Sequence, residues 1–386
     1  MVRPAVCGGK GIDEGFVETL SFIPMQKLRT GLIGCGKVGH LHAAALATLP
    51  ESQFVAVCGR SETKAVPFAK QYGVAAYTDV TKMVTQEKLD MVCICTPHPE
   101  HAGPAIAAAR AGAHVIVEKP LASSLADCDA MLAAAKAGGV MLAMLCQRRL
   151  YPPCQRIREA IDAGKIERPV LGTTVMFGWR DEAYYKSDPW RGSWKGEGGG
   201  VLVNQAPHQL DLLLWYFGEI DELFGYWANL NHPYIEVEDT AVAVVKFKSG
   251  ALGNIVVSNS QNPAINVRVS VHGSNGRSIG VQTDGGAMFV AGMTTAIEAP
   301  YNDIWTIPGE EGNLAPWKAA DAKLFGEIKP MEYFHRLQIQ DFLRAIAEKR
   351  PPSVTGLDGR RTVELFTAIY RATRDRRPIK FPLTAE

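Results

Sequence analysis

A short, mostly apolar run, Leu28 to Ile33, passes directly into Gly34-Cys35-Gly36-Lys37-Val38-Gly39 and then into an Ala/Leu-rich stretch, His40 to Leu49. Strand, glycine turn and helix in that order are the opening of a βαβ unit, the one context in which GxGxxG carries meaning. Gly34 permits the tight turn, Gly36 lets backbone approach a pyrophosphate, and Gly39 lets helix and strand pack closely. The first N–H groups of the helix, at Lys37 and Val38, then face phosphate charge. These residues are the candidate cofactor loop.

The texture downstream extends this start. Apolar runs at Phe54–Cys58, Met91–Cys95, His114–Val117 and Val140–Met144 alternate with helical segments at 62–71, 104–111 and 124–137. That alternation predicts a doubly wound parallel sheet, a Rossmann fold over 27–147. After Gln147 a helix at 153–163 gives way to longer alternating strands, Val170–Phe177, Thr240–Phe247, Gly253–Val257 and Val267–Val271, with one helix at 206–217 between them. Residues 148–386 are therefore expected to form an α+β domain with a large, mainly antiparallel open sheet. The Gly/Pro-rich stretch 285–329 reads as an irregular loop or lid, and the tail returns to helix at 333–349 and 359–374. Residues 1–26 lack the continuous apolar core of a secretory signal and read as an N-terminal extension, with Met25 an alternative start.

Composition narrows the partners. In 386 residues, Lys+Arg 41 against Asp+Glu 40 leaves a formal charge of +1, which gives no general attraction to nucleic acid or acidic membranes. No apolar run reaches the roughly 20 residues that span a bilayer. Eight cysteines without a CxxC pair, several inside apolar strands, suit a reducing, cytoplasmic setting.

A carboxylate at the end of the second strand would accept hydrogen bonds from the ribose of NAD. This chain has Gly59-Arg60-Ser61 there, with Lys64 a turn later. The missing acid removes repulsion against a 2′-phosphate, and Arg60, Lys64 and Ser61 supply charge and a donor. NADP is favoured; NAD is possible.

Two further turns complete the set. Thr96-Pro97-His98-Pro99-Glu100-His101 closes the third strand, and Val117-Glu118-Lys119-Pro120-Leu121 closes a later one. With the glycine loop, and with Gly198-Gly199-Gly200 followed by His208 and Asp211, they resemble the glucose-fructose oxidoreductase/inositol dehydrogenase/rhizopine catabolism (Gfo/Idh/MocA) family over nearly everything from Leu28 onward. The resemblance implies oxidation or reduction of sugars, cyclitols or related carbonyls, and a C-terminal sheet that joins subunits into a dimer or tetramer. It places Thr96, Pro97, His98, His101 and Glu118 beside the nicotinamide and makes Lys119 the catalytic lysine.

The residues support this independently. Lys119 ends a parallel strand, where open α/β sheets bind ligands, and an amine there can stabilise a developing alkoxide or pass a proton. His208 titrates near neutrality and suits the acid/base step. In the family an aspartate precedes that histidine by four residues; here it is Asn204, which can orient a hydroxyl or the imidazole but cannot take a proton. Asp211, a turn after His208, suits substrate binding or a local cap equally. Arg148, Arg149, Tyr151, Trp179, Arg180, Trp190, Arg191 and Trp194 cluster in sequence near the expected cleft, where Arg matches hydroxyls and Trp matches ring faces, while most of these aromatics suit ordinary packing equally; Arg148 and Trp179 come first as candidates for substrate contact, with Trp190 after them. No metal site is expected, because His98-Pro99-Glu100-His101 lies in a Pro-containing loop without helical ligand geometry.

The activity expected is hydride transfer between nicotinamide and a ring hydroxyl or ketone of a sugar, glycoside or cyclitol, with Lys119 and His208 moving the proton. Two alternatives stand beside it: a non-catalytic dinucleotide-binding regulator, which Asn204 favours, and a cofactor-retaining sugar epimerase or lyase.

Overall fold

In a computed structural model of the protein, residues 27–262, 264, 266–284 and 298–385 are described. The expected extension at 1–26, and the part of the expected lid at 285–297, lie outside the described residues. The first sheet contains β1 (Leu28–Ile33), β2 (Ser52–Cys58), β3 (Ala75–Tyr77), β4 (Met91–Ile94), β5 (His114–Val117) and β6 (Leu142–Met144). Its order is β3-β2-β1-β4-β5-β6, and every neighbouring pair is parallel. All of β4 is buried, as expected of a central strand covered on both faces. The helices that alternate with these strands are α1 (Lys37–Thr48), α2 (Glu62–Tyr72), α3 (Val80–Gln86), α4 (Ala102–Arg110) and α5 (Leu125–Gly138). The chain changes direction across the sheet between β1 and β4. The crevice beyond their carboxyl ends, between the Gly34 turn and the Thr96 loop, is where such sheets bind ligands.

The second unit adds α6 (Pro152–Asp162), β7 (Pro169–Phe177), α7 (Glu182–Lys186), α8 (Val201–Asn204), α9 (Pro207–Phe217), β8 (Ile220–Ala228), β9 (Thr240–Phe247), β10 (Leu252–Ser258), β11 (Asn266–Gly273), β12 (Ser278–Gln282) and β13 (Tyr301–Trp305). It closes with α10 (Leu314–Glu327), α11 (Pro330–Glu348), α12 (Gly356–Asp375) and β14 (Ile379–Lys380). The sheet runs β13-β12-β11-β7-β10-β9-β8-β14; only β7 and β10 pair parallel. In β9, Ala241, Ala243, Val245 and Phe247 are buried while Val242 and Val244 are exposed, so one face is core. That face packs against α9 and α12. The other leaves Leu171, Tyr226, Val242, Val244 and Leu252 exposed.

Two features depart from the sequence expectation. The stretch 285–329 is not all loop: it holds β13 and α10. Polar residues break the strand's apolar pattern, yet they have partners, since Asn302 Nδ2 donates to the Pro153 carbonyl (2.9 Å) and Asp303 pairs with Arg268 (2.9 Å). The tail helix α11 also leaves its own sheet and packs on α1. Its Ile339, Phe342 and Leu343 share one core cluster with Leu32, Leu46 and Ile116. Gln338 extends the end of β6, accepting from the Cys146 N–H (2.9 Å) and donating to the Met144 carbonyl (2.9 Å).

Candidate active site

At the cofactor end, Gly34 has φ +113°, a conformation glycine adopts freely. A Cβ on Gly39 would collide with the Gly34 carbonyl, so α1 sits as close to the turn as backbone allows. Gly36 begins α1 without a side-chain cap, and a Cβ there would meet nothing within 4 Å. Uncapped N–H groups over an open cradle, at a helix N-terminus, fit a dinucleotide pyrophosphate. Gly36, Lys37 and Val38 are exposed along this edge and Gly39 is buried. Beyond β2, Gly59 is buried, Arg60 and Lys64 are exposed, and the Ser61 hydroxyl bonds that of Thr63 (2.8 Å).

The turns after β4 and β5 are tied together by His101. Its Nδ1 faces the Pro120 carbonyl at 3.0 Å and its Nε2 the Thr96 carbonyl at 2.9 Å, and the ring is fully buried. The buried ring thus lies between the two turns, a neutral imidazole donating to one of the two carbonyls. Glu118 is likewise turned inward. His42 Nε2 lies 2.8 Å and His335 Nε2 3.4 Å from the same carboxylate oxygen, while the other oxygen accepts from the Lys119 N–H (3.2 Å). Burial pushes the Glu118 carboxyl up, but the hydrogen bonds and charge of His335 and His42 outweigh it and hold it well below the ordinary range. Among the described residues this trio is the one cluster with metal-ligand composition. The His42–Glu118 separation is that of an N–H···O bond, and we assign the trio as a hydrogen-bonded anchor for the lysine turn. His98 packs edge-on against Trp190, with ring centroids 5.2 Å apart, and Pro97 is exposed at the loop tip. The Thr96 hydroxyl donates to the Glu100 carbonyl (3.0 Å).

Lys119 reaches out of the first domain into the second. Its Nζ donates to the Asn204 backbone carbonyl (2.7 Å) at the end of α8. Burial lowers its pKa to about 8, helped by Arg148 and Arg191 and opposed by Glu118. Four residues on, His208 is buried in α9, its pKa held well below the ordinary value by burial and by the charges of Arg148 and Lys119. Lys119 thus reaches the segment that carries His208, and its charge acts on that imidazole. His208 Nδ1 lies 3.5 Å from the Cys146 sulfur. Burial raises the pKa of that thiol well above its ordinary value, and the charge of Asp211 adds to the rise. In the tautomer that carries its proton on Nδ1, the imidazole donates to this sulfur and keeps the lone pair on Nε2, the state a proton acceptor needs. Asp211 is itself fully buried and fixed by a bidentate pair with Arg149, 2.7 and 2.6 Å.

Asn204 has its own support. Its Nδ2 donates to Glu197 and to the Tyr184 hydroxyl (3.1 Å), which leaves Oδ1 as an acceptor. Glu197 also accepts from the Gly192 N–H (2.7 Å), and burial pushes its carboxyl up. A carboxylate, that of Glu197, is therefore hydrogen-bonded to the side chain at position 204. Sequence reasoning passed over Glu197, Cys146, His42 and His335; the one available signal was an acid directly before three glycines. On the substrate side, Arg148 pairs with Asp284 (2.7 Å) beside Lys119 and His208. Trp190 is half-buried under Arg191, 4.4 Å from its ring centroid, so it borders the site. Trp179 packs on His232, which is itself held by Asp239 and the Arg180 carbonyl.

Comparison with known proteins identifies the family. Residues 28–145 match the oxidoreductase family with an NAD-binding Rossmann fold, and residues 154–279 match the GFO/IDH/MocA C-terminal domain. The myo-inositol 2-dehydrogenase of Thermotoga maritima is 28% identical over 363 residues, 92% of this chain and 98% of that protein. The 4-carboxy-2-hydroxymuconate-6-semialdehyde dehydrogenase of a Sphingobium species is 29% identical over 238 residues, 61% of this chain and 74% of its own. Among solved structures, the WlbA dehydrogenase of Bordetella pertussis in complex with NADH and UDP-GlcNAcA superposes with a TM-score of 0.81 at 28% identity, covering 94% of this chain and 100% of that one. With both of its domains matched by the family's models, the chain belongs to the Gfo/Idh/MocA family of oxidoreductases.

Proposed function

We propose that this enzyme transfers hydride between a nicotinamide dinucleotide and a ring hydroxyl or ketone of a sugar, glycoside or cyclitol. The observation that carries the reading is the approach of Lys119, from the end of β5, to the α8–α9 segment that bears His208. When bound, the dinucleotide supplies the hydride acceptor or donor. Gly34, Gly36 and the N–H groups of Lys37 and Val38 would hold its pyrophosphate, with Thr96 and Pro97 at the nicotinamide end. In oxidation, His208 Nε2 takes the hydroxyl proton while the Lys119 ammonium donates to the same oxygen as its negative charge develops; reduction returns the proton by the same groups. Asn204 Oδ1 accepts from a substrate hydroxyl and positions the ring. Relatives named for myo-inositol and a solved neighbour holding UDP-GlcNAcA support ring substrates.

NADP is the cofactor this reading favours, because Arg60 and Lys64 are exposed beyond β2 and no carboxylate stands at Gly59. The WlbA relative holds NADH, so the two must be compared directly. The tighter ligand raises the melting temperature more, at equal concentration. A larger shift with NADPH, diminished in Arg60→Ala, is expected; equal shifts contradict the 2′-phosphate argument. Turnover of sugars and cyclitols, followed by nicotinamide absorbance, tests the reaction itself. The seven described cysteines are all free thiols, in keeping with a cytoplasmic setting. The apolar outer face of the large sheet suits a homodimer or homotetramer.

A further inference from the structure

We propose that the substrate carries a carboxylate and that Arg180 receives it. The inference rests on the hydride-transfer reading above and names the substrate class for that site. Arg148 and Arg191 act on Lys119 where it meets Asn204, and Arg180 is linked to that place through Tyr184, whose hydroxyl also accepts from Asn204 Nδ2. Arg148 and Arg191 each have an acid, Asp284 at 2.7 Å and Asp188 at 3.3 Å. Arg180 has none among the described residues. It is only 6% exposed, just beyond the end of β7. Its Nη1 donates to the Trp179 carbonyl (2.6 Å), its guanidinium lies over the Tyr184 ring at 5.2 Å and bonds that hydroxyl, and its Nε is buried without a partner. Burial and the charge of Arg191 lower its pKa, whereas the acid partners of Arg148 and Arg149 raise theirs.

A buried guanidinium with no acid partner among the described residues and a second cation, Arg191, nearby is costly, and an anion brought by a ligand removes that cost. The planar guanidinium matches the planar carboxylate, and the charge-assisted bond between them is among the stronger hydrogen bonds. Position argues in the same direction. Arg180 lies across Tyr184 from Asn204, whose Nδ2 donates to the same hydroxyl at 3.1 Å. The anion would therefore sit at the periphery of the substrate, away from the oxygen that Lys119 serves.

The test uses the full chain with NAD or NADP and matched pairs: D-glucose with D-glucuronate, D-galactose with D-galacturonate, and D-glucose 6-phosphate as a phosphate arm. Melting shift and kcat/KM are read for each. At least one uronate is expected to exceed its neutral partner by about tenfold in kcat/KM, a difference a single charge-assisted bond supplies. Arg180→Gln should abolish most of that ratio, and Arg180→Lys, which keeps the charge but not the fork, should restore part of it. Ligand-free Arg180→Gln should melt no lower than the parent, because the lost charge was unpaired; if it fails to fold, Arg180→Lys alone decides by a reduced acid-to-neutral ratio. Neutral sugars turned over as well as their uronates, preference for the phosphate arm alone, or an unchanged ratio in the variants would each overturn the proposal and leave the hydride-transfer reading intact. No binding or turnover in any pair would count against both.

Discussion

Lys119 works against its surroundings: the amine is buried, and that favours the neutral form. The sign of the pH dependence follows. An amine with its pKa lowered to about 8 is charged below that pH and neutral above it. His208, held well below its ordinary pKa, is already neutral and able to accept a proton near neutrality. The kcat/KM for oxidation should therefore be level around neutrality and fall as pH rises through about 8. Lys119→Arg should remove that limb, since a guanidinium keeps its proton, though at reduced activity. A profile that stays level well above this pH in the parent enzyme would show that the ammonium charge is not required. Lys119 and His208 were legible in the sequence because each stands inside a short motif, Glu-Lys-Pro and the segment after three glycines. Cys146 was not, because it stands 62 positions before His208 and its role exists only once β6 and α9 are brought together. His101 and Glu118 were found, but which way their side chains turn is decided by neighbours distant in sequence: Pro120 for one, His42 and His335 for the other.

Among the elements, α11 has the largest consequence for the site. It belongs by sequence to the second domain, yet it covers α1 and shares the core under the glycine loop. Phe342 is fully buried there. Phe342→Ala should cost about 3–5 kcal/mol, the usual range for emptying a large aromatic from a packed core. A urea titration followed by tryptophan fluorescence measures it, and a loss below about 1 kcal/mol would mean that α11 is not part of that core. The element pattern of the first sheet was readable because buried parallel strands are short apolar runs separated by helical segments. The period-2 alternation of β9 was equally plain. β13 and α10 were hidden: Asn302 and Asp303 obscure the alternation, and the Gly- and Pro-rich flanks read as loop. Only tertiary pairing, with Arg268 and the Pro153 carbonyl, makes those polar residues part of a strand.

At the scale of the whole molecule, the proposed site is shared between the two domains. The first supplies the glycine loop and Lys119; the second supplies Asn204, His208 and the arginines around them. The hydrogen bond from Lys119 Nζ to the Asn204 carbonyl joins the two at the point where proton transfer is assigned. The decisive measurement is turnover and cofactor binding in Lys119→Ala, assayed side by side on the same preparation. The expected result is a fall in kcat of about 10²- to 10⁴-fold, the range for a missing acid/base or charge-stabilising group, with dinucleotide affinity nearly intact. Turnover at the parent rate, or cofactor binding lost in step with activity, would contradict the account.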